Sequence, residues 1–131
     1  MATMISPLRR AVQVAADRPA VVCGHTRLTY AEMWERCRRL VGALRALGLE
    51  EGDRIGVVSP NCHRYLEIYQ AVPGAGFVLV PLNQRHSDAE LRYALEDAGE
   101  NGHAICMCVA FATRLRCVSI TPFDAPVVPP V

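Results

Sequence analysis

Apolar and polar positions alternate between two periods along this chain, and the clearest switch lies between Gly52 and Arg85. Arg54-Ile55-Gly56-Val57-Val58 is a short apolar run of the kind a buried parallel strand needs. Ser59-Pro60-Asn61 ends it, with Asn61 placed to cap a helix. That helix, from about Cys62 to Val72, carries Leu66, Tyr69 and Val72 at helical spacing. Pro73, Gly74 and Gly76 close it, and Phe77-Val78-Leu79-Val80 reads as a second strand. Such a strand–helix–strand unit buries both strands when it closes as a right-handed crossover in a sheet covered on both faces.

The segments on either side follow the same logic. Ser6-Pro7 is a helix start, serine as cap and proline in the first turn, with Leu8, Val12 and Ala15 or Ala16 on one side. Residues 20–29 read as a small hairpin turning at Gly24-His25. Thr29-Tyr30-Ala31-Glu32 is a capping box opening a helix over 30–47, whose apolar face is Met33, Cys37, Leu40, Val41, Leu44 and Leu47. Gly48 supplies its left-handed end and Leu49 folds back on the last turn. Ser87-Asp88-Ala89-Glu90 repeats the capping box, and Leu91, Ala94, Leu95 and Ala98 follow over 88–98.

Past Gly99 the patterning weakens. Residues 100–131 hold four of the chain's 27 charged residues, half of its six cysteines and four of its nine prolines. Residues 104–109 supply one further strand, and no amphipathic helix follows. Pro126, Pro129 and Pro130 make the end an extended segment. A low-charge tail behind a well-patterned domain suggests replaced or out-of-frame sequence. The division is therefore 1–99, a patterned subdomain, and 100–131, a divergent tail.

Charge and cysteine content narrow the function classes. A net charge of +1 argues against nucleic acid or an anionic membrane as partner. No run reaches the ~18 apolar residues of a membrane span. No secretory signal is visible, so the cysteines read as reduced thiols in the cytoplasm. All fourteen basic residues are arginine, and there is no lysine.

Three passages together carry a family resemblance: Arg27-Leu28-Thr29-Tyr30-Ala31-Glu32; Gly52-Asp53-Arg54-Ile55-Gly56-Val57 with Asn61; and Gly74-Ala75-Gly76 through Val80-Pro81-Leu82-Asn83. In this order and spacing, and over roughly residues 18–99, the chain resembles the beginning of the large domain of adenylate-forming enzymes, the AMP-dependent synthetases and ligases. The Pro-Leu-Asn-x-Arg passage leans toward the acyl-CoA synthetase branch. The resemblance implies a two-step reaction. A carboxylate attacks the α-phosphate of ATP, with magnesium present, to give an acyl-adenylate and pyrophosphate; a thiol, often that of coenzyme A, then displaces AMP. Charge building on phosphates calls for backbone donors, a lysine and a metal. The family supplies these from a Ser/Thr/Gly-rich loop ending in Pro-Lys-Gly, from downstream acidic residues, and from a lysine in its small C-terminal domain. This chain has neither that loop nor any lysine. One family role transfers by position: Arg85 as a contact to a phosphate of coenzyme A. The competing reading is a solvated arginine before the cap at Ser87.

Other constellations have plainer explanations. Gly74-Ala75-Gly76 begins like a dinucleotide fingerprint, but position 79 is leucine and the glycines precede a strand. His103 with Cys106 and Cys108 has an unusual spacing for zinc and reads as strand cysteines. Cys23 with His25, and Cys62 with His63, lack the geometry and the orienting third group of a nucleophile pair. Trp34 belongs to a helix surface, and Arg36, Arg38, Arg39 and Arg45 read as a solvated flank.

The expected fold is an α/β layer arrangement. Its mostly parallel sheet is built from 54–58, 77–81 and 104–109, with helices 30–47, 62–73 and 88–98 against it. The expected function is that of an N-terminal fragment of an ATP-dependent carboxylate–CoA ligase, inactive alone, with no cofactor of its own and with ATP, magnesium and coenzyme A belonging to the intact enzyme. The alternative is a non-enzymatic interaction module that pairs with a complementary chain, a relative or another copy of itself.

Overall fold

The computed structural model describes residues 4–98 in full, and the backbone of 102–106 and 117–118. The element order is α1 (Ser6–Ala15), β1 (Pro19–Cys23), β2 (Thr26–Thr29), α2 (Tyr30–Ala46), β3 (Arg54–Val58), α3 (His63–Gly74), β4 (Val78–Leu82), α4 (Asp88–Asp97), β5 (Gly102–Cys106) and β6 (Cys117–Val118). These fall into two compact units. The first contains α1, β1, β2, α2 and α3; the second contains the other strands and α4.

In the first unit α2 is the hub, packing on α1, α3 and the antiparallel β1–β2 hairpin. It starts on the expected capping box: Thr29 Oγ1 accepts from the Glu32 N–H at 3.2 Å, while Glu32 Oε2 accepts from the Thr29 N–H at 2.8 Å. Met33, Cys37, Leu40 and Leu44 are buried along one face. Leu47 is exposed, because it has already become the C-cap. Gly48 (φ +84°) then turns the chain so that the Leu49 N–H donates to the Leu44 carbonyl and buries Leu49.

The end of α3 repeats that device and corrects the expected stop at Pro73. Pro73 lies inside the helix, which runs on to Gly74. The chain leaves at Gly76 (φ +89°), where the Phe77 N–H donates to the Val72 carbonyl and Phe77 is buried. Two helix starts also differ from expectation. The N-cap of α1 is Ile5, not Ser6, and that of α3 is Cys62, not Asn61; neither cap makes a side-chain hydrogen bond. The buried face of α3 is Glu67, Ile68, Ala71 and Val72, with Leu66 exposed. A buried acid inside that face is what hid its true phase.

In the second unit the strands form one sheet in the order β4-β3-β5-β6, and every pairing is parallel. Ile55 to Val58 of β3 are all buried, as a central strand requires. Strand β4 is an edge, and its expected burial is only partial: Val78 and Pro81 are exposed. The Val78 N–H donates to the Asp53 carbonyl, so by alternation the backbone of Val80 and Leu82 also turns toward β3. Leu79 and Pro81 turn away from it, and Pro81 has no N–H to present there. Helix α4 contacts β5 and carries its capping box at Ser87 and Glu90. The expected strand over 104–109 begins two residues earlier, at Gly102; residues 107–109 lie outside the described residues. The two-residue β6 was not foreseen.

Candidate functional site

Arg85 follows β4 in a short turn that its own neighbours build. The Asn83 side chain accepts from the Arg85 N–H at 2.9 Å, and the Asn83 carbonyl accepts from the His86 N–H at 3.1 Å. The next residue but one, Ser87, caps α4, with Glu90 Oε2 accepting from its N–H at 2.8 Å. The hydrogen bonds from Ser87 hold the Glu90 carboxyl below its ordinary value. The turn is thus fixed at both ends, and Arg85 stands exposed on it. An exposed guanidinium on a fixed turn fits one contact to an anionic group such as a phosphate.

The first unit holds a polar cluster that sequence reasoning missed. Arg36, assigned to a solvated flank, donates from Nε to Glu67 Oε1 at 2.8 Å across the α2–α3 contact. The Glu67 side chain is 2% exposed and that of Arg36 24%. The neighbouring Cys37 Sγ lies 3.6 Å from the Glu67 carbonyl oxygen, to which it donates. Burial first, and then the Glu67 charge, push the Cys37 thiol up to about 12, against a smaller lowering by Arg36. A thiol held neutral this firmly is not a nucleophile at neutral pH. The available signal was an acid in an otherwise apolar helical face, with an arginine on a neighbouring helix. Arg38, Arg39 and Arg45 are exposed, as expected.

A groove of about 360 Å³ also lies in the first unit, bounded by Ile5, Val41, Gly42 and Ala75, with Arg38 and Arg45 on its walls. Elsewhere the proposed constellations do not assemble. Gly74-Ala75-Gly76 is the end of α3 and the turn after it, not a phosphate loop. Cys62 and His63 open α3, and His63 Nδ1 is buried with no hydrogen-bond partner. Cys23, Cys37 and Cys62 are in no disulfide. His103 and Cys106 lie on β5, and their side chains, like Cys108, fall outside the described residues. Among the described residues no group of three or more His, Cys, Asp or Glu side chains is placed to hold a metal ion. The chain has no lysine and no Ser/Thr/Gly-rich loop, so the described residues do not fit ATP and magnesium.

Comparison with known proteins adds the family context. A family model described as AMP-binding enzyme matches residues 8–116. A long-chain-fatty-acid–CoA ligase of Thermus thermophilus is 45% identical over 95 residues, covering 70% of this chain and 18% of the ligase. A feruloyl-CoA synthase of an Amycolatopsis species is 41% identical over 125 residues, covering 91% of this chain and 25% of the synthase. Among solved structures, a Mycobacterium tuberculosis fatty acyl CoA synthetase superposes with a TM-score of 0.74 at 29% identity, covering 79% of this chain and 21% of that one. The chain thus spans about a fifth to a quarter of the length of the relatives it matches.

Proposed function

The chain belongs to the AMP-binding enzyme family, and we propose that it is the opening scaffold of an ATP-dependent carboxylate–CoA ligase, unable to form an acyl-adenylate by itself. One observation carries this reading. The match to acyl-CoA ligases covers most of the chain, yet the chain spans 18% of one such ligase and has no lysine. Its residues supply a framework of strands, capped helices and an inter-helix ion pair, and they leave the charge stabilisation of phosphoryl chemistry to residues elsewhere.

In the intact ligase the role left to this chain is coenzyme A positioning by Arg85. The guanidinium supplies paired charge-assisted donors to one phosphate, and the Asn83 turn fixes where it stands. A cytoplasmic location is part of this proposal and rests on reading the cysteines as reduced thiols. No helix among the described residues is long and apolar enough to cross a membrane. The out-of-frame reading of residues 100–131 meets a family match that runs through residue 116; reading the downstream genomic sequence in all frames tests it.

The purified chain, incubated with ATP, magnesium, coenzyme A and a panel of aliphatic and aromatic carboxylic acids, is expected to release no pyrophosphate. Robust release overturns the scaffold reading. In an intact ligase carrying this scaffold, coenzyme A binding is expected to weaken on Arg85→Ala while ATP–pyrophosphate exchange with the acid is unchanged. Equal binding by wild type and variant removes Arg85 from the proposal and leaves the scaffold reading standing.

A further inference from the structure

The groove on α2 is filled by no described residue, and its central residue is out of keeping with its position. Gly42 sits inside a helix of 17 residues. Glycine there costs about 1 kcal/mol relative to alanine. A Cβ at Gly42 would meet nothing within 4 Å, so no packing among the described residues accounts for it. Arg38 and Arg45 stand two turns apart on either side, about 10 Å along the axis. Their acidic neighbours are exposed and loosely held, Glu35 at 3.3 Å from Arg38 and Glu51 at 4.0 Å from Arg45. Pairs of that kind exchange readily for others.

Another helix of the same chain carries the complementary pattern. On α4, Glu90, Tyr93, Ala94 and Asp97 repeat the spacing of Arg38, Val41, Gly42 and Arg45, with acids where α2 has arginines. All four lie on one helical stripe. Tyr93 is 70% exposed, the most exposed large hydrophobic side chain of the described residues. The hydrogen bonds between Ser87 and the Glu90 carboxylate use Oε2, and the lowered Glu90 pKa keeps that group charged.

We infer that α4 of one copy docks antiparallel into the α2 groove of a second copy, with Tyr93 entering beside Gly42. Glu90 then faces Arg45 and Asp97 faces Arg38. The antiparallel sense follows from the helix ends. Arg45 is in the last turn of α2 and Glu90 in the first turn of α4, so each charge is already favoured at the end of its own helix, and the antiparallel sense sets the two helix dipoles in opposite directions. The occupant is another molecule of this chain because both halves of the charge pattern, and both the recess and the side chain that suits it, are present on it. The inference does not depend on the ligase reading. One groove is small beside the roughly 800 Å² per partner of a stable complex, so the association is weak and salt-sensitive.

Sedimentation velocity on the full chain, from about 1 µM to about 1 mM at low salt, covers the range of such affinities. The expected result is a mean mass that rises with concentration and falls back when salt is added. Either a dimer or a longer chain of copies supports the contact. Gly42→Leu, which fills the groove at a site with room for it, and Tyr93→Ser are each expected to remove the association while melting as folded proteins. Arg38→Glu and Asp97→Arg are each expected to weaken it roughly tenfold or more, as a reversed charge at an interface does. An equimolar mixture of those two variants is expected to recover it. A wild type that stays monomeric throughout overturns the inference. So does association unaffected by Gly42→Leu, or a charge-reversed mixture no better than its components.

Discussion

The Arg36–Glu67 pair offers the sharpest test of how the first unit is held together. Glu67 is 2% exposed and its visible cationic partner is Arg36, 24% exposed, at 2.8 Å. Removing one member of a fully buried pair costs about 3–5 kcal/mol, since the remaining charge is left without compensation. Arg36 retains some contact with water, which screens the pair, so Arg36→Leu should cost about 2–3 kcal/mol. Glu67→Leu leaves the arginine free to turn into solvent and removes a buried charge, so its cost should stay below about 1 kcal/mol. The double variant replaces the pair by apolar side chains of similar bulk and should lie within about 1 kcal/mol of wild type. Urea unfolding at neutral pH, followed by far-UV circular dichroism, reads these differences as shifts in midpoint at constant slope. In a thermal melt the Arg36→Leu loss corresponds to roughly 6–15 °C for a domain of this size. The reasoning is refuted if Arg36→Leu and Glu67→Leu are equally costly, or if the double variant is no better than Arg36→Leu.

Two glycines should respond to alanine in opposite directions. A Cβ at Gly74 would sit 2.6 Å from Ile5 Cβ, a backbone-fixed contact, so Gly74→Ala should lose about 1–3 kcal/mol despite its better helix propensity. Gly42→Ala meets nothing and should gain up to about 1 kcal/mol; urea midpoints of the two variants check both signs. The capping-box carboxyls of Glu32 and Glu90 are held below their ordinary value of 4.5, chiefly by the hydrogen bonds from Thr29 and Ser87. Their stabilisation is therefore fully present above that value and lost as pH falls through the lowered one; thermal melts of Glu32→Gln and Glu90→Gln should show a shallower acid dependence than wild type. Cys37, raised from 9.0 to about 12, binds its proton more tightly folded than unfolded, so its contribution to stability is lost as pH rises through that window. Native thiol labelling at neutral pH should leave Cys37 unmodified after the half-buried Cys23 and Cys62 have reacted, and equal rates at the three sites would contradict its burial.

The elements that were legible in advance are those whose signals are local. Both capping boxes are read from four consecutive residues, and the Gly48 turn with Leu49 from two. Each needs no knowledge of what lies across the fold. The α/β class followed from the same kind of signal, apolar runs of strand length alternating with helical spacing. One misread position depends on a partner far away in sequence. Leu66 looked like core because the true face contains Glu67, and an acid becomes acceptable there only with Arg36 thirty-one residues earlier. Of Pro73, Gly74 and Gly76, read together as closing α3, Pro73 lies inside the helix and the turn falls at Gly76, the residue free to take positive φ. Asn61 was a better cap than Cys62 by propensity, yet the helix begins one residue later, with Cys62 as its N-cap. At the candidate site, the position of Arg85 was visible, while the Asx turn that fixes it required the structure.

Pro81 has a consequence for how this sheet grows. Along the outer margin of β4 the backbone hydrogen-bonding positions belong to Leu79 and Pro81, and one of their two donors does not exist. A strand arriving from another molecule would find a broken ladder there, so β4 is a selvedge, finished by the sequence itself. The proline that marks a family passage thus also keeps this sheet from zipping onto its neighbours through β4.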